Sequence, residues 1–326
     1  MKSFTFNNVF LKNAYTCVGP VEGKGPLKNY FNKIYDDLYL GQKCWEDAES
    51  KLLKEAILGV INKSDEEIDL IVSGDLINQN AVSSYAIKDL NIPYIGAFGA
   101  CSTMILSMII GANIIESKNA KNVICATSSH NCTSERQFRN PTEYGGGKPK
   151  TATFTVTGGA ACQLSEKGLI KITRATVGKI FDSTLNNPLD MGSAMAPAAC
   201  ETLLEHLRDF NLESNYYDLI LTGDLSDIGF KIVKDILTEQ KVFNANYYDA
   251  GLMVYDIKSQ KVFSGGSGCA CIGVVSMGYI KFLLENKKLK RVLLIGTGAL
   301  MNQMSVNQKK TITSIAHAIA LEGVEI

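Results

Sequence analysis

Trp45 to Ile61, WEDAESKLLKEAILGVI, spaces its apolar residues at helical period, and Ile68 to Leu76, IDLIVSGDL, follows as a short apolar run closed by a Gly-Asp turn. The same succession returns later in the chain. APAACETLLEHLRDF, Ala196 to Phe210, precedes YDLILTGDL, Tyr217 to Leu225. Each pair predicts an amphipathic helix leading into a buried strand. A second match aligns SMIIGANIIESKNAKNVIC, Ser107 to Cys125, with SMGYIKFLLENKKLKRVLL, Ser276 to Leu294, without a gap. Both copies read as helix, basic turn and strand. A duplicated unit of this size is too long for a solenoid repeat and predicts two α/β halves, 1–170 and 171–326, packed as a pseudo-dimer around shared central helices.

The duplication also accounts for an unusual stretch, since Leu90 to Ile115 carries no charge. A membrane span wants about 20 predominantly apolar residues, whereas this one is broken by Pro93, Gly96, Gly99 and Gly111. If the helices that follow FGACST (Phe98 to Thr103) and GGSGCAC (Gly265 to Cys271) lie between two sheets, each is covered all round and has no face for charge. A buried helix is the expectation.

Composition narrows the function classes. The 326 residues are 46% hydrophobic and 20% charged, with 33 basic and 33 acidic side chains, so no overall field draws the chain to nucleic acid or an anionic bilayer. The densest basic cluster, Asn286 to Arg291, reads as a solvated turn. Nine cysteines are an odd number, scattered, with no C-x-x-C pair, which predicts reduced thiols rather than a disulfide framework. The N-terminal segment, MKSFTFNNVFLKNAY, lacks the pattern of a secretory signal, and synthesis in the cytoplasm is expected.

Cys101 stands between Phe-Gly-Ala and Ser102-Thr103, at the start of the long helical run. Unpaired amides and the helix dipole would lower the thiol pKa there and favour the thiolate. The same amides would bind a carboxylate or phosphate without any covalent step. A small buried core thiol is the third reading.

A glycine-preceded cysteine opening a buried helix in a duplicated chain resembles the thiolase and ketoacyl synthase fold. The motifs GDLINQN, FGACST, ATSSHNCTSERQFRNPTEYGGGKPKTATFTVTG, DMGSAMAPAA, LILTGDLS, GGSGCAC and IAHA together resemble the stage V sporulation protein AD family. That resemblance implies a thiolase-like duplicated αβαβα pseudo-dimer with two mixed sheets around buried central helices. It also implies a role in moving dipicolinic acid into the forming spore, with dipicolinate or its calcium chelate as ligand.

Condensing enzymes of such a fold pair their cysteine with histidines, or with histidine and asparagine, from the second half. Here the chain has only His130, His206 and His317. His206, in TLLEHLRDF, reads as a surface or boundary residue of an amphipathic helix. His317, in SIAHAIALE, aligns with the end of the first half, GGAACQLSE, and reads as part of a terminal strand that reaches a pocket. GGSGCACIG presents no histidine where a base is expected, and the spacing of Cys269 and Cys271 does not suit a zinc site. No metal and no cofactor are expected.

Thr127 to Lys150 is the largest departure from the repeat, and an insertion after a parallel strand lies where open α/β sheets place ligands. Arg136 and Arg139, three apart, would share a helical face and suit bidentate pairing with the two carboxylates of dipicolinate. They could equally pair with Glu135 or Glu143, or with a partner subunit. His130 could bond a carboxylate or a pyridine nitrogen, and Phe138 or Tyr144 could stack on the ring. Tyr144-Gly-Gly-Gly-Lys-Pro reads as a flexible turn, because no G-K-[ST] follows. Asp75 and Asp224, at matched positions after the duplicated strands, read as turn caps.

The expected ligand set is therefore Cys101, Ser102, His130, Arg136, Arg139, Gly268 and His317, in a pocket descended from a condensing site but without catalysis. The alternative is an acyltransferase or condensing enzyme with Cys101 as nucleophile and His130 or His317 as base. The expected partners are dipicolinate or calcium dipicolinate, membrane proteins of the same sporulation system and a second copy of the chain, with no nucleic acid. Soluble and lacking a span of its own, the protein would associate peripherally with the spore inner membrane.

Overall fold

The fold follows the duplication strand for strand. In the computed structural model, which describes residues 1–242 and 246–324, the first half forms β1 (Phe10–Val18), β2 (Leu70–Gly74), β3 (Tyr94–Gly96), β4 (Asn122–Ser129) and β5 (Gly158–Ser165). The second half forms β6 (Ile170–Val177), β7 (Leu219–Thr222), β8 (Tyr247–Asp249), β9 (Arg291–Ala299) and β10 (Thr313–Gly323). Outward from the seam the order is β1-β5-β4-β2-β3 on one side and β6-β10-β9-β7-β8 on the other. In each half the first three strands run antiparallel and the last three parallel. The two mixed sheets touch through a short antiparallel pairing of Phe10 and Leu11 with Lys171 and Ile170. The N-terminal Lys2–Thr5 strand crosses over to pair with β6, tying the start of the chain to the second half.

Helices complete five layers. α1 (Trp45–Ile61) and α2 (Ala81–Ile87) cover the outer face of the first sheet, while α5 (Met191–Asp209) and α6 (Ser226–Glu239) cover the second. Between the sheets lie α3 (Thr103–Glu116) and a helix that starts as α7 (Cys269–Val274), passes a π turn at Val275–Ile280 and ends at Glu285. Met104, Ile105, Met108 and Ile109 of α3 are all buried in one core with Val274, Val275 and Ile280. Each such side chain contributes about 1.5–3 kcal/mol when fully buried, and no side of α3's middle turns is left for charge. The uncharged stretch is thus a buried helix, and no described helix is long and apolar enough to cross a membrane.

α1 has the bounds that its periodicity predicts. α5 begins at Met191 rather than Ala196, because Asp190 caps it by accepting from the Ser193 amide at 3.3 Å. The helix α4 (Asn131–Phe138) carries part of the polar insertion and follows β4 after the single residue His130.

The seam is close enough to require glycine. A Cβ on Gly298 of β9 would lie 2.2 Å from the Gly99 carbonyl oxygen, in the turn that carries Cys101. Gly298→Ala is therefore expected to lower the unfolding free energy by about 1–3 kcal/mol, read from denaturant melts. Gly147→Ala, whose Cβ would meet nothing within 4 Å, is the control and should stay within about 0.5 kcal/mol.

Candidate functional site

The turn before α3 is held by its own hydroxyls. Ser102 Oγ donates to the Gly99 carbonyl at 2.6 Å and Thr103 Oγ1 to the Ala100 carbonyl at 2.6 Å, while Thr103 Oγ1 also accepts from the Gly99 amide at 3.1 Å. These bonds hold Ala100 at φ +49°, a left-handed conformation that non-glycine residues seldom adopt. The turn aims Cys101 into the seam, where it packs with Leu76, Cys269 and Phe138. Gly268 opens α7 opposite, at φ +94°, where a Cβ would stand 2.8 Å from Ser129 Oγ and from Thr155 Cγ2. The two helix starts, each bearing a thiol, therefore meet between the sheets.

A small cavity remains beside them. Its walls include Cys101, Gly268, Leu76, Ser134, Phe138, Arg139 and Met191, and its volume is about 20 Å³, enough for a molecule of water size. Arg139 also lines a larger surface depression of about 230 Å³, bordered by Glu135, Gly145, Gly146, Gly147 and Lys148. The Arg139 side chain is only 5% exposed, and its Nη1 pairs with Glu135 Oε1 at 3.2 Å. Lys148 Nζ reaches the same oxygen at 2.8 Å. Two residues of the cavity wall carry a buried polar atom with no hydrogen-bond partner, Arg139 at Nε and Ser134 at Oγ. Buried polar groups are nearly always satisfied, so such a pair marks a place for a missing acceptor.

The electrostatics differ from those expected of a helix start that favours the thiolate. Burial, and then the Asp224 carboxylate in contact with the thiol, push the Cys101 pKa well above the usual range. A helix start was expected to favour the thiolate; removal from water and an adjacent acid outweigh the dipole. Asp224 itself is buried, accepts from the Thr297 hydroxyl and, at 3.4 Å, from the Gly268 amide, and is pushed up to about 6 by that burial. Its reading as a turn cap is corrected here. Asp75 keeps that role, accepting from the amides of Ile77 at 2.8 Å and Ser83 at 2.7 Å. In the second half the turn amides of Leu225 and Ser226 go instead to Asp249, at 3.0 and 2.9 Å. The duplicated Gly-Asp signal located Asp224 in the sequence but could not say which way it turned.

Of the expected ligand residues, the structure brings Cys101, Gly268 and Arg139 to one cavity. Ser102 is spent on its own turn. Arg136 diverges from Arg139: it lies on the exposed side, paired with Glu46 at 3.2 Å, because α4 ends at Phe138 and Arg139 sits past it at φ −134° and ψ −101°. His130 caps α4 and does not line the cavity. Its Nδ1 accepts from the Cys132 amide at 3.1 Å and its Nε2 donates to the Leu38 carbonyl at 2.9 Å, which fixes a neutral tautomer. His317 lies on the terminal strand β10, where Nδ1 accepts from the Gly178 amide at 3.2 Å, away from the cavity walls. His206, expected at the surface, is fully buried between Thr176 at 2.9 Å and Tyr217 at 2.7 Å. Burial pushes His130 and His317 down to about 4 and His206 down to about 3.

Five carboxylates, Glu22, Glu49, Asp75, Asp224 and Asp249, are buried and raised by burial, and none is in an ion pair among the described residues. Glu22, pushed up to about 7, accepts from Tyr255 and from the Thr157 amide at 2.9 Å. A raised carboxylate stabilises the fold fully below its unfolded pKa, and that contribution is lost as pH rises through the folded value. Glu22→Gln should therefore match the wild type near pH 5 and exceed it by about 1–3 kcal/mol at pH 8, in urea melts at the two pH values.

Comparisons with known proteins identify the family and the fold. The family model for Stage V sporulation protein AD (SpoVAD) matches residues 2–322. The chain is 47% identical over 319 residues to the stage V sporulation protein AD of Bacillus subtilis (strain 168), covering 96% of this chain and 94% of that relative. Among solved structures it is similar to 3-oxoacyl-(acyl-carrier-protein) synthase III from Aquifex aeolicus VF5, with TM-score 0.61 and 12% identity over 96% of this chain and 99% of that one. It is also similar to human mitochondrial 3-ketoacyl-CoA thiolase, with TM-score 0.59 and 10% identity over 97% and 99%. These two establish the thiolase-like fold.

Proposed function

The chain belongs to the stage V sporulation protein AD family, and on that premise we propose that it binds dipicolinate, free or as its calcium chelate, and supports uptake of that diacid into the developing spore without catalysis. The observation that carries this reading is a pair of buried, unsatisfied groups on two residues of the cavity wall, Arg139 Nε and Ser134 Oγ. A carboxylate would satisfy both, with the guanidinium supplying a charge-assisted bond. Phe138 on the same wall offers a ring for stacking. The cavity is too small for an aromatic diacid as it stands, so binding must open it toward the depression at Gly145–Lys148, which Arg139 also lines.

Chemistry is disfavoured for stated reasons. A thiol raised above its usual range and touching a carboxylate is a poor nucleophile, and all three histidines are turned to other partners. Any residence at the spore inner membrane would come through membrane proteins of the same sporulation system, to which the diacid is handed. The homodimer fits the edge strand β3, which ends the sheet and presents Ile95 at 38% exposure, with Phe98, two residues past its end, at 48%.

Calorimetric titration with dipicolinate, with and without calcium, tests the reading. Wild type should bind, Arg139→Met should bind at least about tenfold more weakly, the loss of one charge-assisted bond, and His130→Ala should bind within about twofold of wild type. No heat with wild type would end the binding reading. Stoichiometric acylation of wild type by a coenzyme A thioester, absent in Cys101→Ala, would replace it by the acyltransferase. Sedimentation of Ile95→Asp should show the monomer where wild type sediments as a dimer.

A further inference from the structure

The buried carboxylate behind the cavity has no part in the reading above, yet its position constrains any anion that enters. Asp224 follows β7, and two of its three partners, Cys101 and Gly268, are themselves walls of the cavity. Its third partner is Thr297 of β9. No cation pairs with it among the described residues. The other groups that feel its charge are thiols and an acid: Cys101, Cys269, Cys271 and Asp249. Arg139, across the cavity, is already shared with Glu135, which also holds Lys148.

A carboxylate arriving at Arg139 and Ser134 would therefore share the cavity with Cys101 and Gly268, the two wall residues that bond a buried carboxylate with no cation beside it. Two like charges so placed in a low dielectric repel strongly, and one of them must be neutralised. We propose that anion binding in this cavity is coupled to the uptake of one proton by Asp224, so that the site receives a dicarboxylate together with H⁺. The proton comes from solvent, adds to Oδ2 of Asp224 and leaves when the anion leaves; no covalent bond to the ligand forms or breaks. Asp224 is suited to this role because burial has already brought it to about 6, within reach of neutral pH, while Thr297 donates to Oδ1 and Oδ2 has the long 3.4 Å bond from the Gly268 amide.

This inference rests on the binding reading and specifies what else that site must carry. It also separates the two duplicated aspartates by function. Asp75 takes the Ile77 amide and both the amide and the hydroxyl of Ser83, the last at 2.6 Å, and neither it nor those partners line the cavity.

Titration of wild type with dipicolinate at pH 8, in buffers of different ionisation enthalpy, counts the protons directly and needs no variant. About one proton should be taken up per anion, and between pH 7 and 8.5 the Kd should rise about tenfold per pH unit. Asp224→Asn should take up none and keep a level Kd over the same range. Zero proton uptake by wild type, or an equal pH slope in wild type and Asp224→Asn, would overturn the coupling and leave the binding reading intact. Absence of binding by wild type at pH 6.5 as well would overturn the binding reading and this inference together.

Discussion

The structure depends on burying the starts of two helices against each other in the seam between two sheets. Cys101 and Gly268 meet there, and neither helix has a solvent face for most of its length. Three consequences follow from that constraint. The strand beside the first turn must be glycine at Gly298, the second helix must open on a glycine at φ +94°, and the first must bend through Ala100 in a left-handed conformation. The last of these, a non-glycine residue at φ +49°, is a local strain that the surrounding layers hold in place.

The same constraint decides the chemistry of the cavity. A helix start in water attracts negative charge, but here the thiol and the acid beside it lie out of reach of water, and desolvation dominates both. Cys101 is held as a thiol and Asp224 lies near the point of protonation. Among the described residues, the one strong positive group at the wall is Arg139, which is itself tied to Glu135 and, through it, to Lys148. The hollow is thus closely balanced in charge rather than positive, and small changes in occupancy or pH shift that balance.

Much of the fold was legible because duplication and periodicity are carried by many residues at once. Trp45–Ile61 forms the helix that its spacing predicts, and the paired segments Ile68–Leu76 and Tyr217–Leu225 become equivalent strands at equivalent depths in the two sheets. The site was less legible because it rests on single residues whose direction is set by tertiary contacts. Arg136 and Arg139 would share a face only if the helix continued past Phe138, and it does not. His130 follows a strand end, as expected, yet its ring is claimed by Leu38 on one side and by its own helix on the other. His206 sits in a helix that looks amphipathic, but the two bonds to Thr176 and Tyr217 make a polar residue acceptable at the centre of the packed face.

The aspartates show how a duplication opens room for such a site. Asp75 and Asp224 end identical Gly-Asp-Leu turns, and in the first half the aspartate satisfies the turn amides itself. In the second half the neighbouring strand supplies Asp249, which takes the amides of Leu225, Ser226 and Gly251. Where the first sheet has Gly96 at the end of its edge strand, the second has Asp249. That one difference relieves Asp224 of its structural duty without unsatisfying the turn, since buried amides must be bonded by some acceptor but not by a particular one. A carboxylate so released can face the seam, where its cost of burial becomes useful only if a proton or a cation joins it. The asymmetry between two copies of one turn, rather than any new motif, is what distinguishes this cavity from the matched position in the first half.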